Sequence, residues 1–381
     1  MNKKTATQKT IGIVGGGQLG RMLTQAAKKL GFRVIVLDPT PDSPAGQVAD
    51  LQIVKDFKSA EGIRDIAAVS DFMTFEIESA NAEALEELVS KGHMINPSPQ
   101  TLSIIKDKFA QKQFLIQHDV PVADSRSVTG KADILRAIED LSLPILLKAK
   151  RDAYDGRGNA LVKTEADIEA AMKKLGDREL YVEKFVPFVK ELAVVVARGM
   201  AGEIVAYPPV ETIHKNNICH IVLSPAPIDP VILGKAQELA VRILSHLKGV
   251  GVFAIEMFVA ADDSILVNEI APRVHNSGHH TIEGHKTSQF EQHIRAITGM
   301  PLGKVEQLAP AAVMINILGE RAGIAKIQGI ENVLSIPGAS IHVYGKLETR
   351  PERKMGHITI IDSDLDSALE KAEQARAYIS I

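Results

Sequence analysis

Two apolar, strand-like runs, residues 252–259 and 264–270, each carry a single acid, Glu256 and Glu269. A carboxylate inside such a run must be compensated, because burying an unpaired charge is costly. If residues 261–264 form a hairpin loop, Ala260 pairs with Ile265 and Glu256 falls directly opposite Glu269. Two like charges on one face of an antiparallel pair repel each other. A divalent cation resolves the conflict, and Mg²⁺ held by one or two carboxylates together with substrate phosphates fits this pattern. Asn268 adds a neutral oxygen beside them. The simpler alternative is another register, with one acid turned to solvent.

The stretch that follows, Ala271-Pro272-Arg273-Val274-His275-Asn276-Ser277-Gly278-His279-His280, is dense in donors. Next to a metal it suits an oxyanion site, with Arg273 supplying fixed charge and His275, Asn276 and Ser277 supplying hydrogen bonds. Zinc is the competing use of these histidines, but His275, His279 and His280 do not fall into the spacing of a closed ligand set.

Upstream, Lys148 lies near the end of a strand pattern over 143–150 and precedes the glycine-rich loop Tyr154-Asp155-Gly156-Arg157-Gly158-Asn159. A lysine with a closing loop suits phosphate handling, and Lys108 adds a second phosphate-type lysine. Glu183-Lys184-Phe185-Val186 offers strand-edge backbone to an adenine ring, and Glu191 can accept from ribose hydroxyls. A surface strand ending in charges explains those residues equally well. Arg353-Lys354, before Met355-Gly356-His357, could grip a substrate phosphate; standing alone, it would read as a solvated turn.

The first hundred residues alternate strand and helix patterns, which implies a parallel sheet. A strand pattern at 10–14 runs into Gly15, Gly17 and Gly20 of a G-x-G-x-x-G motif, then a helix pattern to Leu30 with Gly31 as its C-cap. Asp38 ends the next strand, where a dinucleotide-binding protein places its ribose carboxylate. Taken alone, this motif would indicate NAD. A further strand is expected at 71–77, reaching Glu76. Residues 103–118 read as one amphipathic helix. From about 143 the pattern becomes α+β, with a helix over 228–247, and residues 305–381 show short strands and a closing helix. The expected division is 1–102, 103–304 and 305–381.

A chain of 381 residues is long enough for several cores. Its formal net charge of −3 gives no basic field for nucleic acid or an anionic membrane. No stretch approaches the roughly 20 apolar residues that span a bilayer. The polar, lysine-containing first ten residues lack a signal-peptide core, and Cys219, the one cysteine, fits a reducing compartment. The expectation is a cytoplasmic enzyme.

Together these elements resemble the ATP-grasp superfamily and, within it, the N5-carboxyaminoimidazole ribonucleotide synthetase family. The matching stretches are GGGQLGRM at 15–22, TFEIE at 74–78, YDGRGN at 154–159, EKFVPFVKE at 183–191, NEIAPRVHNSGHHT at 268–281 and RKMGH at 353–357. The resemblance implies an ATP-grasp fold, with a Rossmann-like parallel-sheet domain before it and a small β-rich domain after it. It implies that ATP phosphorylates bicarbonate and that the exocyclic amine of 5-aminoimidazole ribonucleotide is carboxylated. In this sequence ATP would meet Lys108, Lys148, the loop Ala153, Tyr154, Asp155, Gly156, Arg157, Gly158 and Asn159, the segment Glu183, Lys184, Phe185 and Val186, and Glu191, His214, Asn268 and Glu269. Glu256 and Glu269, with Asn268, would bind Mg²⁺ or Mn²⁺. Arg273, His275, Asn276, Ser277, Tyr154 and Arg157 would serve the chemistry. Gln18, Leu19, Glu76, Tyr154, Arg273, Arg353 and Lys354 would hold the ribonucleotide. A homodimer is implied as well. His280 departs from the expected aromatic and Asn159 from the commoner Gln. A formate-using glycinamide ribonucleotide transformylase is the sibling alternative, an NAD-dependent dehydrogenase a more distant one, and a nucleotide sensor without turnover a third.

Overall fold

The computed structural model describes residues 8–151 and 158–381. The chain opens with a five-stranded parallel sheet, ordered β3-β2-β1-β4-β5. Its strands and helices are β1 (Thr10–Val14), α1 (Gln18–Lys29), β2 (Arg33–Leu37), β3 (Leu51–Ile53), α2 (Ala60–Ala67), β4 (Phe72–Phe75), α3 (Ala82–Ser90) and β5 (Met94–Ile95). The central strands are apolar on both faces, as a sheet covered on both sides requires. Ile11 and Ile13 pack with Leu23 of α1, while Val14 and Leu37 pack with Ile63 and Leu85. Gly31 has φ 83° just beyond α1 and acts as the expected helix stop. β4 ends at Phe75, two residues short of the expected 77, so Glu76 lies just past the strand tip.

The helix expected over 103–118 is two helices, α4 (Pro99–Lys106) and α5 (Lys108–Gln117). Asp107 breaks them: its backbone is extended (φ −96°, ψ 107°) and its side chain accepts from the N–H groups of Phe109 and Ala110. An Asp N-cap competes with continuing the helix, and Lys108 consequently sits at the first turn of α5.

A four-stranded antiparallel sheet follows, ordered β6-β9-β7-β8. It contains β6 (Ser125–Val128), α6 (Lys131–Leu141), β7 (Ile145–Ala149), β8 (Asn159–Val162), α7 (Ile168–Leu175) and β9 (Leu180–Lys184). One face is apolar, with Ile145, Leu147 and Val182 packed under α6 and α7. The other carries Lys148, Tyr181 and Glu183, which the register places together.

The largest sheet contains nine strands among the described residues, and the first six along the chain are β10 (Phe188–Arg198), β11 (Ile204–Ala206), β12 (Val210–Lys215), β13 (Ile218–Ser224), then, after α8 (Pro230–Leu247), β14 (Gly251–Ala260) and β15 (Ile265–Ala271). After α9 (Thr281–Gly284) and α10 (Gln289–Thr298), β16 (Ala311–Leu318) pairs with β13 and carries the sheet into the last region. That region adds β17 (Gly323–Ile324), α11 (Ile330–Leu334), β18 (Ala339–Val343), β19 (Glu348–Thr349), β20 (Lys354–Asp362) and α12 (Leu365–Tyr378). Leu192, Val194, Phe253, Ile255 and Met257 form the core under α8. The intervening residues of β10 and β14 face the opposite way, and among them is Glu256. No described helix is long and apolar enough to cross a membrane.

Candidate active site

The hairpin β14–β15 brings Glu256 opposite Glu269, as the sequence predicts, but by a different route. The loop end pairs Val259, not Ala260, with Ile265, and a β-bulge between Met257 and Glu256 then restores the expected register. The extra residue is Asn268. A bulge sets two residues of one strand against one of the other and re-aims their side chains, so Asn268 and Glu269 adjoin Glu256 together.

The two acids have unlike environments. Burial and the Glu269 charge push Glu256 up to about 7. Burial acts on Glu269 too, but the adjacent Lys108 ammonium overrides it and brings that carboxyl down to about 2. Lys108 thus supplies one positive charge to a pair of acids that can hold two negative ones. The pair with Asn268 therefore fits a hard divalent cation with oxygen ligands.

Alternation along β10 and β12 sets Glu191 and His214 on this same face. His214 Nδ1 lies 2.6 Å from Glu191 Oε2. Burial acts to lower the His214 pKa, but the bond to Glu191 outweighs it and the net shift is upward. The unaided sequence offered no reason to choose His214; only the strand pairing brings it to Glu191.

Helix α5 reaches both sheets. Besides Lys108 on Glu269, Gln111 donates to the Ile270 carbonyl at 3.1 Å and accepts from its N–H at 2.9 Å, completing the edge of β15 beside Glu269. Lys112 lies 2.7 Å from Glu183, whose other oxygen accepts from Lys148 at 3.2 Å. Sequence reading assigned no role to Gln111 or Lys112; their i+3 and i+4 spacing from Lys108 is the signal that places them on its face.

In the segment expected to meet adenine, the Lys184 N–H donates to Asp124 O at 2.8 Å and the Phe185 N–H to Pro144 O at 3.3 Å. Lys184 is exposed and Val186 is buried. Asn159 pairs with Lys148 in the β7–β8 register, and the Gly158 carbonyl accepts from the Ala149 N–H at 2.8 Å. Ala153, Tyr154, Asp155, Gly156 and Arg157 lie outside the described residues.

The donor-rich segment after β15 is held in a fixed conformation. The His275 N–H donates to Gln289 Oε1 at 2.9 Å, and Gln289 Nε2 donates to the His275 carbonyl at 2.6 Å. The Ser277 N–H donates to His275 Nδ1 at 3.3 Å, so the ring proton sits on Nε2, which lies 3.4 Å from Glu256 Oε1. Burial, with Arg273 nearby, lowers His275 to about 3, so the ring is neutral. Asn276 and Ser277 are buried. Arg273 pairs with Glu78 at 3.2 Å, tying this segment to the N-terminal sheet. His279 packs against Phe290 and His357, and His280 Nδ1 meets the Ser277 carbonyl at 2.9 Å, so the three histidines point to different neighbours rather than to one center. Cys219 is buried, which pushes its thiol up to about 12.

The N-terminal glycine loop is already filled from within. Glu76, 7% exposed, accepts from the Gly17 and Gly20 N–H groups, the latter at 2.5 Å, and so caps α1. A Cβ at Gly17 would lie 2.5 Å from Glu76 Oε1, and at Gly15, where φ is 102°, 2.5 Å from Glu76 Cγ. Asp38 accepts from the Gly16 N–H at 2.8 Å. The donors that would bind a dinucleotide pyrophosphate are thus spent on the chain's own carboxylate, which removes the basis of the NAD reading. Gln18 opens α1 half-buried, while the Leu19 side chain packs into the core.

The loop around Glu76 neighbours the last region of the chain. Lys346 Nζ donates to the Lys354 carbonyl at 2.6 Å and lies 5.7 Å from the Tyr344 ring centroid. Burial and the nearby Arg353 charge lower Lys346 to about 7, against the pull of Glu76. Arg353 donates to Glu348 O at 2.6 Å. Lys346 was not among the residues picked from sequence; it stands eight positions before Lys354, and only the β18–β20 pairing joins them.

A parallel-sheet domain, two antiparallel sheets whose lysines and carboxylates are joined through α5, and a facing acid pair define an ATP-grasp ligase. The chain matches the ribonucleotide synthetase preATP-grasp domain over residues 8–106, the ATP-grasp domain over 113–290 and the phosphoribosylaminoimidazole carboxylase C-terminal domain over 312–371. It is 41% identical to N5-carboxyaminoimidazole ribonucleotide synthase of Bacillus subtilis, over 95% of this chain and 93% of that one. It is 44% identical to phosphoribosylaminoimidazole carboxylase of Ogataea methanolica, over 93% of this chain and 67% of that one. It spans about two thirds of the length of such fungal relatives. The crystal structure of N5-carboxyaminoimidazole ribonucleotide synthetase from Thermotoga maritima superposes with a TM-score of 0.89 at 48% identity, covering 98% of this chain and 99% of that one. The Aspergillus clavatus synthase in complex with ADP and 5-aminoimidazole ribonucleotide gives 0.90 at 39%, covering 97% and 98%. The chain belongs to the N5-carboxyaminoimidazole ribonucleotide synthase family, which sets aside the transformylase and dehydrogenase alternatives.

Proposed function

We propose that this chain couples ATP cleavage to carboxylation of the exocyclic amine of 5-aminoimidazole ribonucleotide. A bicarbonate oxygen attacks the γ-phosphorus of ATP, ADP leaves and carboxyphosphate forms. The amine nitrogen then bonds to the carboxyl carbon, either by direct attack or after release of CO₂. Inorganic phosphate departs, and the amine loses one proton. The observation that carries this reading is the bulged acid pair Glu256–Glu269 beside Lys108, joined through α5 to the Lys148–Glu183–Lys112 cluster.

Glu256, Glu269 and Asn268 would hold Mg²⁺, or Mn²⁺ in its place, and the ion when bound would offset charge on the phosphates. Lys108 and Lys148 contact the phosphates, and Tyr154 and Arg157 serve the chemistry. Glu191, oriented by His214, accepts from the ribose hydroxyls. Asn276, Ser277 and Arg273 surround the bicarbonate, and neutral His275 donates from Nε2. Gln18, Arg353, Lys354 and Lys346 receive the ribonucleotide phosphate. Glu76 acts by shaping the glycine loop that walls this pocket. The divisions 1–102, 103–304 and 305–381 would supply the ribonucleotide wall, the nucleotide cleft and the phosphate grip. A cytoplasmic homodimer is the expected form, to be checked by light scattering.

The test is phosphate release from Mg-ATP and bicarbonate with and without 5-aminoimidazole ribonucleotide. Stimulation by the ribonucleotide, with carboxylated product, is expected; no stimulation refutes the substrate assignment.

A further inference from the structure

The face of α5 that presents Lys108 and Gln111 also presents Lys112. Lys112 is 2% exposed, as is Glu183, and Lys148 is 7% exposed. One carboxylate is therefore shared by two buried ammonium groups. Oε2 of Glu183 is 2.7 Å from Lys112, and Oε1 is 3.2 Å from Lys148. Lys148 also lies 5.9 Å from the Tyr181 ring centroid. Two lysines and one glutamate leave the cluster one positive charge in excess.

A buried ion pair kept only for structure needs to be neutral, because surplus buried charge is expensive without an anion to meet it. The neighbouring Glu269 does not close on this cluster, since it already pairs with Lys108. A ligand polyphosphate can supply the missing negative charge. If Glu183 faced Lys148 alone, both of its oxygens could close on that ammonium and draw it away from the cleft.

We propose that Lys112 is a positioning residue for the nucleotide phosphates: by occupying Oε2 of Glu183 it keeps the carboxylate from closing on Lys148 and leaves the Lys148 charge directed at the phosphates. This rests on the reading of Lys148 as a phosphate lysine. Lys112 itself touches no substrate. Its effect is electrostatic, so nucleotide affinity follows the net charge of the three side chains rather than the presence of any one of them.

The experiment compares Mg-ADP dissociation constants by calorimetry for the wild type, Lys148→Met, Lys112→Met, Glu183→Gln and the double variant Lys112→Met/Glu183→Gln. Lys112→Met makes the cluster neutral and is expected to weaken Mg-ADP by about tenfold, the order of effect of one charge at close range in a partly screened site. Its KM for the ribonucleotide stays within about twofold, since that pocket lies elsewhere. The double variant has the wild-type charge, and its affinity is expected to recover most of the loss. Recovery on removing a second group is something a merely structural role of Lys112 does not produce. If Lys148→Met leaves Mg-ADP binding unchanged, the phosphate-lysine reading fails. If Lys148→Met weakens binding but Lys112→Met does not, or the double variant binds no tighter than Lys112→Met, the role of Lys112 is overturned. Should Lys112→Met not fold, Lys112→Gln, which removes the same charge and keeps a polar group facing Glu183, decides: weaker Mg-ADP binding is expected, and binding as tight as the wild type overturns the proposal.

Discussion

Glu256 and Glu269 are cross-strand partners, yet only Glu269 touches Lys108. The asymmetry separates their charge states: Glu256 is held near neutrality of solution and Glu269 is fully ionised. Replacing Glu269 by Gln removes a proposed metal ligand and leaves the Lys108 charge without its partner. Turnover should fall by at least about a hundredfold, the scale expected when a charge-stabilising contact at the phosphates is lost. Steady-state phosphate release checks this, and a wild-type rate would contradict the metal role.

Glu76 acts as an external cap for α1. Glu76→Ala leaves the Gly17 and Gly20 N–H groups unmet in a buried place, at a cost of about 1–3 kcal/mol for each unsatisfied group. The melting temperature should drop and the ribonucleotide KM rise, with Mg-ADP affinity little changed. NADH should not raise the melting temperature of the wild-type protein, because the loop donors are engaged.

His293 connects the first sheet to the nucleotide domain. The Val252 N–H donates to its Nδ1 at 3.0 Å, which sets the proton on Nε2, 2.7 Å from Thr74 Oγ1. Burial lowers its pKa to about 3. The unfolded chain takes up a proton on this residue below about 6.5 whereas the folded one does not, so stability present above that pH is lost as pH falls. Each histidine of this kind costs about 1.4 kcal/mol per pH unit across that window. His280, lowered to about 3, and His285, to about 4, act in the same direction. Melting temperatures at pH 7 and pH 5 should show a steep decline, and His293→Asn should make it shallower even where it lowers stability at pH 7.

Arg353 sits at the end of the exposed turn before β20, and in the proposed arrangement it grips the ribonucleotide phosphate while His275 and Ser277 serve the reacting amine. Arg353→Ala should raise the ribonucleotide KM by about tenfold with kcat nearly unchanged, the signature of a contact equal in ground and transition states. Initial rates at varied ribonucleotide concentration separate this from a general loss of activity.

Periodicity and turn chemistry were enough to locate the parallel N-terminal sheet, the stop of α1 at Gly31 and the acid-bearing hairpin, because these follow from local backbone preferences and from which faces must be buried. They missed the break at Asp107, where a side-chain cap overrides helical spacing. The expected pairing of Ala260 with Ile265 was off by one residue, and the bulge at Asn268 cancelled that shift before Glu256. A bulge depends on neighbouring strands and on the Gln111 amide closing the edge at Ile270, neither of which is visible along the chain.

By itself the sequence determined which residue types were available to the site: paired acids in apolar strands, phosphate-type lysines, and a donor-dense segment behind Glu269. Tertiary structure alone decided their partners. Lys108, Gln111 and Lys112 share one helical face, yet they meet residues 161, 159 and 71 positions away, at Glu269, Ile270 and Glu183. The glycine loop looked open to a dinucleotide until the fold placed Glu76 in it. Local sequence specifies conformation through short-range sterics and hydrogen bonding, whereas the charge state and reach of a buried group are set by whatever the packed chain brings against it.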